Sequence, residues 1–375
     1  MPGLLPDVDP DGLLEYSVVY TDRALNHMAR RFQRVMQELS AGLKQAYGAR
    51  SAIVVPGSGS YGMEAVARQF ATGQPVLVVR NGWFSYRWSQ IFETGAITAA
   101  ATVCKARPAA PGAQAAFAPA PITEVVDAIC TNRPAVVFAP HVETSAGMIL
   151  PDDYLREVAA AVREVDGLFV LDAIAAGTLW VDMVATGVDI LVSAPQKGWS
   201  GSPCAGLVML GERARARIDS TTSTSYAADL KKWLQIMEAY ENGGHAYHAT
   251  MPTDSLTRLR DVMLETGRFG FDRVKANQIE LGVKVRALLE AKGFVSVAAP
   301  GFQAPCVVVS YTEDPDIQNG RKFAAQGLQI AAGVPLQVDE PADFRTFRVG
   351  LFGLDKLENV ERTVQNFAAA LDKIA

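Results

Sequence analysis

Short, uninterrupted apolar runs recur along the first two thirds of the chain, with longer stretches of helical spacing between them. The runs are Ala52–Val55, Pro75–Arg80, Ala135–Pro140, Leu168–Asp172, Ile190–Ser193 and Gly206–Leu210. Glu64–Phe70 and Asp153–Val165 have the spacing of helices. Strands that are apolar throughout are buried on both faces, as in parallel sheets. The pattern predicts an α/β fold with a mostly parallel sheet and chemistry at the carboxyl ends of its strands.

The pattern changes near residue 255. A long helical stretch is predicted over Ser255–Lys292, and a closing helix over Glu358–Ile374. Between them, short strands are predicted at Val295–Ala298, Cys306–Tyr311 and Thr346–Val349. We therefore predict an N-terminal segment (residues 1–25), a large domain (26–255) and a smaller C-terminal α+β domain (256–375). We expect the N-terminal segment, which has little periodicity, to lie across the active site or a partner subunit.

Composition narrows the class of protein. The 375 residues carry a net charge of -5, which gives no indication of a nucleic-acid or anionic-membrane partner. The four cysteines and four histidines show no spacing typical of a metal site, so reduced thiols and no metal are expected. The N-terminus does not resemble a signal peptide, and no apolar run reaches about 18 residues, the length of a membrane span. We expect a cytoplasmic protein.

A glycine-rich loop follows the first predicted strand and precedes a helix. It reads Gly57-Ser58-Gly59-Ser60-Tyr61-Gly62, which matches the dinucleotide pattern G-x-G-x-x-G. An NAD site would also need an acid at the end of the next strand, where this chain has Arg80. Small residues at a helix N-terminus still let backbone N–H groups approach an anion. The loop therefore predicts a phosphate site.

A strand-end aspartate and a lysine in a polar turn provide the second signal. Asp172 ends one apolar strand, and Lys197 lies in a turn rich in small and polar residues between the next two strands. Pyridoxal phosphate needs a lysine for its Schiff base, a carboxylate beside its pyridine nitrogen and a cradle for its phosphate. The aspartate, the lysine and the glycine loop together predict that cofactor.

At this point the chain resembles the class V, fold-type I aminotransferases, closest to the alanine–glyoxylate and serine–pyruvate group, over about residues 45–370. The segments that carry the resemblance are Pro56–Ser60, Asn81–Phe84, His141–Gly147, Gln196–Lys197, Tyr247–Pro252 and Phe347–Gly353. The resemblance implies a large domain with a mostly parallel sheet, a small C-terminal domain, and transamination between a small amino acid and a 2-oxo acid such as glyoxylate or pyruvate. It also implies a ping-pong mechanism through Lys197, with pyridoxal 5'-phosphate as cofactor.

Site residues follow from the same resemblance. Ser58, Gly59 and Ser60 would bind the phosphate, and Phe84 would stack on the ring, with Trp83 as its neighbour in the motif. The remaining residues expected at the cofactor are Thr144, Ser145, Asp172, Gln196 and Lys197. Tyr247 and Thr250 would reach the phosphate of the other subunit, which implies a homodimer with shared active sites. Arg348 would bind the substrate α-carboxylate.

The N-terminal region departs from the family, and this leaves the substrate open. The family's G-P-x-P and H-R-S segments are absent, and Tyr16, Ser17 or Arg23 would face the substrate side chain instead. A 2-aminoethylphosphonate–pyruvate transaminase and a pyridoxal-phosphate lyase therefore stay open. A desulfurase needs a mobile thiol, for which Cys306 in an apolar run is a poor candidate. An NAD-dependent dehydrogenase and a non-catalytic binding module are the alternatives from other classes.

Overall fold

The computed structural model describes residues 13–374, so residues 1–12 of the predicted N-terminal segment and the final residue of the small domain lie outside the described residues. The strands are β1 (Ser51–Pro56), β2 (Val76–Arg80), β3 (Ala101–Lys105), β4 (Arg107–Pro108), β5 (Phe117–Ala118), β6 (Val136–Pro140), β7 (Val142–Glu143), β8 (Met148–Ile149), β9 (Leu168–Asp172), β10 (Ile190–Ser193), β11 (Ala205–Leu210), β12 (Val307–Tyr311), β13 (Ala331–Ala332) and β14 (Thr346–Gly350). The helices are α1 (Arg30–Tyr47), α2 (Gly59–Phe70), α3 (Trp83–Thr94), α4 (Ile122–Asn132), α5 (Asp152–Glu164), α6 (Met183–Thr186), α7 (Glu212–Ile218), α8 (Leu230–Glu241), α9 (Thr253–Phe269), α10 (Phe271–Ala291), α11 (Pro315–Gln318), α12 (Arg321–Ala325), α13 (Leu354–Glu358) and α14 (Val360–Leu371).

A seven-stranded sheet forms the centre of the fold, in the order β1-β11-β10-β9-β6-β2-β3. Strands β10, β9, β6, β2 and β3 are parallel, whereas β11 is antiparallel to both of its neighbours. The prediction of a mostly parallel sheet is confirmed, and all six predicted apolar runs are strands of it. The edge strand β3 was not predicted, because a half-exposed edge needs no continuous apolar run.

The direction of the strands places five segments at one edge of this sheet. Because β11 is reversed relative to both β1 and β10, β1 runs in the same direction as the parallel strands. The segments that follow β1, β2, β6, β9 and β10 therefore all emerge at the carboxyl edge. These segments contain the glycine loop, the start of α3, the His141–Gly147 loop, Asp172 and the Lys197 turn. The topology brings the predicted motifs to one edge.

The C-terminal part has its own three-stranded sheet, β12-β14-β13, and differs from the prediction at three places. The predicted helix over Ser255–Lys292 is two helices, α9 and α10, separated by Gly270, whose φ of 103° a helix cannot continue. Val295–Ala298 forms isolated bridges and no strand. The closing helix is interrupted at Asn359, whose side chain caps α14 by accepting the N–H of Arg362.

Packing partners change at Gly270. Helix α9 packs against α1, beside the large sheet, whereas α10 packs against β12, α13 and α14. The predicted domain boundary at residues 255 and 256 precedes this change, and it stays a prediction. In the part of the chain that the structure describes, every helix is too short or too polar to cross a lipid bilayer.

Candidate active site

The glycine loop turns β1 directly into α2. Gly57 has a φ of +128°, and Ser58 is the extended residue that precedes the first helical turn. A Cβ atom on Gly206 of β11 would lie 2.7 Å from the Cα of Gly62, so α2 sits on the sheet backbone without a side chain between them. The close approach fixes the N-terminus of α2 at the carboxyl edge, where its free N–H groups suit an anion.

Asp172 is a buried carboxyl group, only 8% exposed, at the end of β9. The N–H of Ile174 donates to its Oδ1 atom at 3.0 Å. Burial raises the pKa of Asp172 to about 7; the Ile174 N–H and the charge of Arg87 lower it, and the charge of Glu143 raises it. A buried carboxyl group without a bonded cation is unfavourable in its ionised form, and a protonated ring nitrogen would be a suitable partner.

Lys197 lies in the turn after β10, and Asp172 ends the adjacent parallel strand β9. Its Nζ atom faces the ring of Phe352 at 4.9 Å from the ring centre, and in residues 13–374 it has no carboxylate partner. Burial and the nearby Arg348 guanidinium hold the pKa of Lys197 below its usual value. A larger fraction of neutral, nucleophilic amine is the chemical consequence.

Two arginines lie over the ring of Phe84, in the first turn of α3. The guanidinium carbon of Arg87 is 5.3 Å from the ring centre, and that of Arg348 is 5.6 Å away. Arg87 also donates to the Ser60 Oγ atom of the glycine loop at 3.1 Å. Arg348 comes from β14 of the small sheet, where its Nε donates to the Ala332 carbonyl at 2.8 Å. Helix α3, beside the large sheet, and strand β14 of the small sheet therefore each contribute a cation to one site.

The His141–Gly147 loop has a supporting role that the sequence did not indicate. The Ser145 hydroxyl is buried, donates to Glu143 Oε1 at 2.7 Å and accepts the N–H of Trp83 at 3.0 Å. Its bonds therefore connect the loop to α3, and the contact of Ser145 with the cofactor stays a prediction. Thr144 has no such bond and stays a second candidate hydroxyl of this loop.

Three other predicted residues lie on the surface of this chain. Gln196 is exposed beside Lys197. Tyr247 is 53% exposed, and its hydroxyl lies 3.1 Å from the Thr250 hydroxyl. The Tyr247 ring packs against His27 near the N-terminal segment. Tyr247 and Thr250 are thus positioned for contacts outside the chain's own site.

Sequence reasoning missed Arg87, Glu143 and Phe352, although all three lie in or beside motifs that we had noted. Arg87 is one helical turn after Phe84, so helical spacing alone could have placed both side chains on one face. Nothing in the sequence pairs Glu143 with α3, or Phe352 with Lys197. These contacts join segments that are distant in the chain.

The residues present fit a phosphorylated pyridine aldehyde. A helix N-terminus with a bonded serine and arginine suits the phosphate, and the buried Asp172 suits the ring nitrogen. Lys197 lies in the turn after β10, at the edge of the sheet where Asp172 ends the neighbouring strand β9. The fold and the site are typical of enzymes that hold pyridoxal phosphate through a lysine.

Comparison with known proteins names the family. A sequence model of the family "Aminotransferase class-V" matches residues 13–334. The chain belongs to this family, and it is an enzyme that transfers an amino group between an amino acid and a 2-oxo acid.

Individual relatives agree with this assignment. Alanine–glyoxylate aminotransferase of Rattus norvegicus is 24% identical over 362 residues, which cover 93% of this chain and 82% of the relative. The 2-aminoethylphosphonate–pyruvate transaminase of Salmonella paratyphi C is 28% identical over 334 residues, with 86% and 83% covered. The crystal structure of alanine–glyoxylate aminotransferase from Nostoc has the same fold, with a TM-score of 0.76, 21% identity, and 92% of this chain and 88% of that one covered.

The assignment and the site together weigh against the other classes. A dehydrogenase does not belong to this family, and Arg80 donates to Ser89 and the Gln337 carbonyl where a ribose-binding acid would be required. Cys306 is buried, donates to the Ala175 carbonyl at 3.2 Å, and burial raises the pKa of its thiol to about 12. Such a thiol is unsuited to the mobile nucleophile of a desulfurase.

Proposed function

We propose that this enzyme binds pyridoxal 5'-phosphate at Lys197 and transfers the amino group of a small amino acid, of the alanine or serine type, to glyoxylate or pyruvate. The observation that carries the proposal is the pair formed by Lys197 and Asp172. Both groups are largely buried at the carboxyl edge of adjacent parallel strands, and neither has a bonded counter-ion in residues 13–374. Bound pyridoxal phosphate would accept the electron pair of the substrate Cα and carry the amino group between the two substrates.

Each protein group then has a defined task. The N-terminus of α2, with Ser58, Gly59 and Ser60, would bind the phosphate, and Arg87 would neutralise its charge. The ring of Phe84 would support one face of the cofactor ring, and Asp172 would hold a proton on its nitrogen. Thr144 and Gln196 would contact the cofactor from the neighbouring loops.

Lys197 and Arg348 act on the substrate. The Arg348 guanidinium presents paired N–H donors that match a carboxylate, so it would hold the α-carboxylate of both the amino acid and the oxo acid. The neutral Lys197 amine would remove the proton from the substrate Cα. It would then deliver that proton to the cofactor carbon that carries the substrate nitrogen. Partial burial of Arg348 strengthens its interaction with the carboxylate by excluding water.

We also propose that the enzyme is cytoplasmic. It would form a homodimer in which each active site contains residues of both subunits. The exposed pair Tyr247 and Thr250 would reach the phosphate bound by the partner subunit. Family resemblance supports this part, together with the position of both hydroxyls on the surface.

A second candidate substrate is favoured by one observation, the 28% identity to the Salmonella 2-aminoethylphosphonate–pyruvate transaminase. In that case Arg348 would bind a phosphonate in place of the amino donor's carboxylate.

The visible absorption spectrum separates these proposals. A cofactor band that bleaches with L-alanine and returns with glyoxylate would support the first substrate pair. A band that ignores alanine and bleaches with 2-aminoethylphosphonate would support the second. A purified protein that stays colourless with added pyridoxal phosphate would overturn the proposed cofactor.

A further inference from the structure

The carboxylate of Glu143 is completely buried and lies at the N-terminus of α3. Five donors surround it. Its Oε1 atom accepts from Phe84 N at 3.2 Å, Ser145 N at 3.2 Å and Ser145 Oγ at 2.7 Å. Its Oε2 atom accepts from Ser85 N at 2.9 Å and Ser85 Oγ at 2.7 Å. These contacts account for both carboxylate oxygens, and the positive end of the helix favours a negative charge at this position.

These bonds join two neighbouring segments of the carboxyl edge. Glu143 ends β7, shortly after β6, and α3 begins shortly after β2, the strand that pairs with β6. The bonds hold the first turn of α3, and with it the ring of Phe84 and the guanidinium of Arg87, against the Thr144–Ser145 loop. Burying a carboxylate is unfavourable unless it is bonded this completely. Neutral groups could have formed a purely structural link without that desolvation penalty.

Gly82 shows how closely this junction is packed. A Cβ atom on Gly82 would lie 2.1 Å from Ser145 Oγ and 2.8 Å from Glu143 Cδ. The backbone of Gly82 is extended, so only the space around it excludes a side chain. Any residue other than glycine would push Glu143 away from α3.

The charge of Glu143 also reaches the two groups that would hold the ring and the substrate. It raises the pKa of Asp172, and it raises the pKa of Arg348 against the effect of burial. Glu143 therefore acts on both groups through its charge, while its own oxygens are already occupied by donors of the protein.

We propose that Glu143 is a positioning residue for the cofactor: its buried carboxylate fixes Phe84 and Arg87 relative to the glycine loop, and its charge sets the electrostatic field at the ring. The inference rests on the proposed function, in which the site binds pyridoxal phosphate. Two substitutions separate geometry from charge. Glu143→Gln keeps the shape but removes the charge and turns an NH₂ group towards Ser85 or Ser145, whereas Glu143→Asp keeps the charge and shortens the side chain.

Pyridoxal phosphate affinity and visible circular dichroism of the bound cofactor are measured on both variants. We expect Glu143→Gln to weaken affinity at least about tenfold, the scale of one or two lost bonds to a charged group. The dichroic signal per bound cofactor should fall, because the ring support moves. The midpoint of the spectral titration, the pH at which the absorption band of the bound cofactor is half converted, should also fall. The reason is that the substitution removes a negative charge that favours the protonated cofactor. Glu143→Asp should weaken affinity but keep the midpoint near the wild-type value.

Asp182→Asn is the matched control. Asp182 also caps a helix, accepting from Val184 N and Ala185 N, but at the amino edge of β10. It should leave affinity, dichroism and midpoint unchanged. If Glu143→Gln does not fold, Ser85→Ala, which removes one of the five donors, should give the same changes with a smaller amplitude.

The outcomes distinguish this inference from the proposed function. A wild-type protein that binds no pyridoxal phosphate removes both. A wild-type protein that binds it, together with Glu143→Gln of equal affinity, dichroism and midpoint, overturns the role of Glu143 alone. Equal losses in Glu143→Gln and Asp182→Asn would show only a loss of overall stability and would also overturn it.

Discussion

The guanidinium carbon of Arg348 lies 5.6 Å from the centre of the Phe84 ring, although Arg348 belongs to the small sheet and Phe84 to a helix beside the large one. The site is therefore assembled from both parts of the chain. A cofactor stacked on Phe84, as we propose, would lie next to Arg348, and so would a substrate attached to that cofactor. This relationship supports the assignment of the carboxylate site.

Arg348→Ala should chiefly raise KM for both the amino acid and the oxo acid, by about tenfold to a hundredfold, since charge-assisted bonds to each carboxylate are lost. Steady-state kinetics with each substrate varied in turn measures the effect. Arg345→Ala is the control, because Arg345 is exposed on the same segment and donates to the Glu313 carbonyl. An unchanged KM for both substrates would remove Arg348 from the site.

Lys197→Ala should abolish turnover, because the amine that moves the Cα proton is lost. Borohydride treatment of wild-type protein loaded with pyridoxal phosphate should add the cofactor's mass to the peptide that contains Lys197. Mass spectrometry of the digest checks this directly. Substantial transamination by Lys197→Ala, or a label on another lysine, would contradict the assignment.

Asp172→Asn should stabilise the cofactor-free protein at pH 8 and have little effect near pH 4. The pKa of Asp172 is raised from an ordinary 3.8 to about 7, so the folded chain binds the extra proton between these values. Stability that depends on this proton is present below pH 3.8 and is lost as the pH rises through 7. Thermal unfolding against pH provides the test. A wild-type curve parallel to that of Asp172→Asn across this range would show that Asp172 does not titrate there.

The same substitution should weaken pyridoxal phosphate binding, because a neutral amide cannot balance a protonated ring nitrogen. The substitution should therefore stabilise the cofactor-free protein and weaken its affinity for the cofactor. This combination is expected of a buried carboxyl group that lacks a partner until the cofactor binds.

Arg87→Gln should weaken pyridoxal phosphate binding by about tenfold to a hundredfold, because a charged donor beside the glycine loop is lost. Pyridoxal, which lacks the phosphate, is the control ligand, and its weaker affinity should change little. Equilibrium titration of the cofactor band gives both constants. Equal losses for the two ligands would place Arg87 at the ring and away from the phosphate.

Hybrid dimers test the shared site. One chain carries Lys197→Ala, and the other carries Tyr247→Phe with Thr250→Ala. Random reassociation gives hybrids in which one site has both defects and the other has none, so about a quarter of wild-type activity should return. If Tyr247 and Thr250 serve their own subunit, mixing restores nothing above the average of the two parent variants. A protein that sediments as a monomer would rule out sharing altogether.

A comparison of Leu168–Asp172 with α1 shows how much of the structure local sequence patterns can predict. The apolar run predicted β9 with its exact bounds, because a strand buried on both faces must be apolar at every position. Helix α1 was not predicted, although Phe32, Val35, Leu39 and Leu43 have helical spacing and are buried. The break at Gly270 was missed as well, since a single glycine within a long helical pattern does not by itself require an interruption.

By itself, the sequence determined the α/β class, the strand-end position of Asp172, the Lys197 turn and the glycine loop, because each depends on residues that are neighbours in the chain. Only the tertiary structure decided that Ser145 is bonded to Glu143, that Arg87 joins Phe84 to Ser60, and that Phe352 covers Lys197. These contacts bring together segments from different strand ends and from two sheets. Their partners are chosen by burial and by the need to satisfy every buried polar group, and neither condition can be read from local spacing.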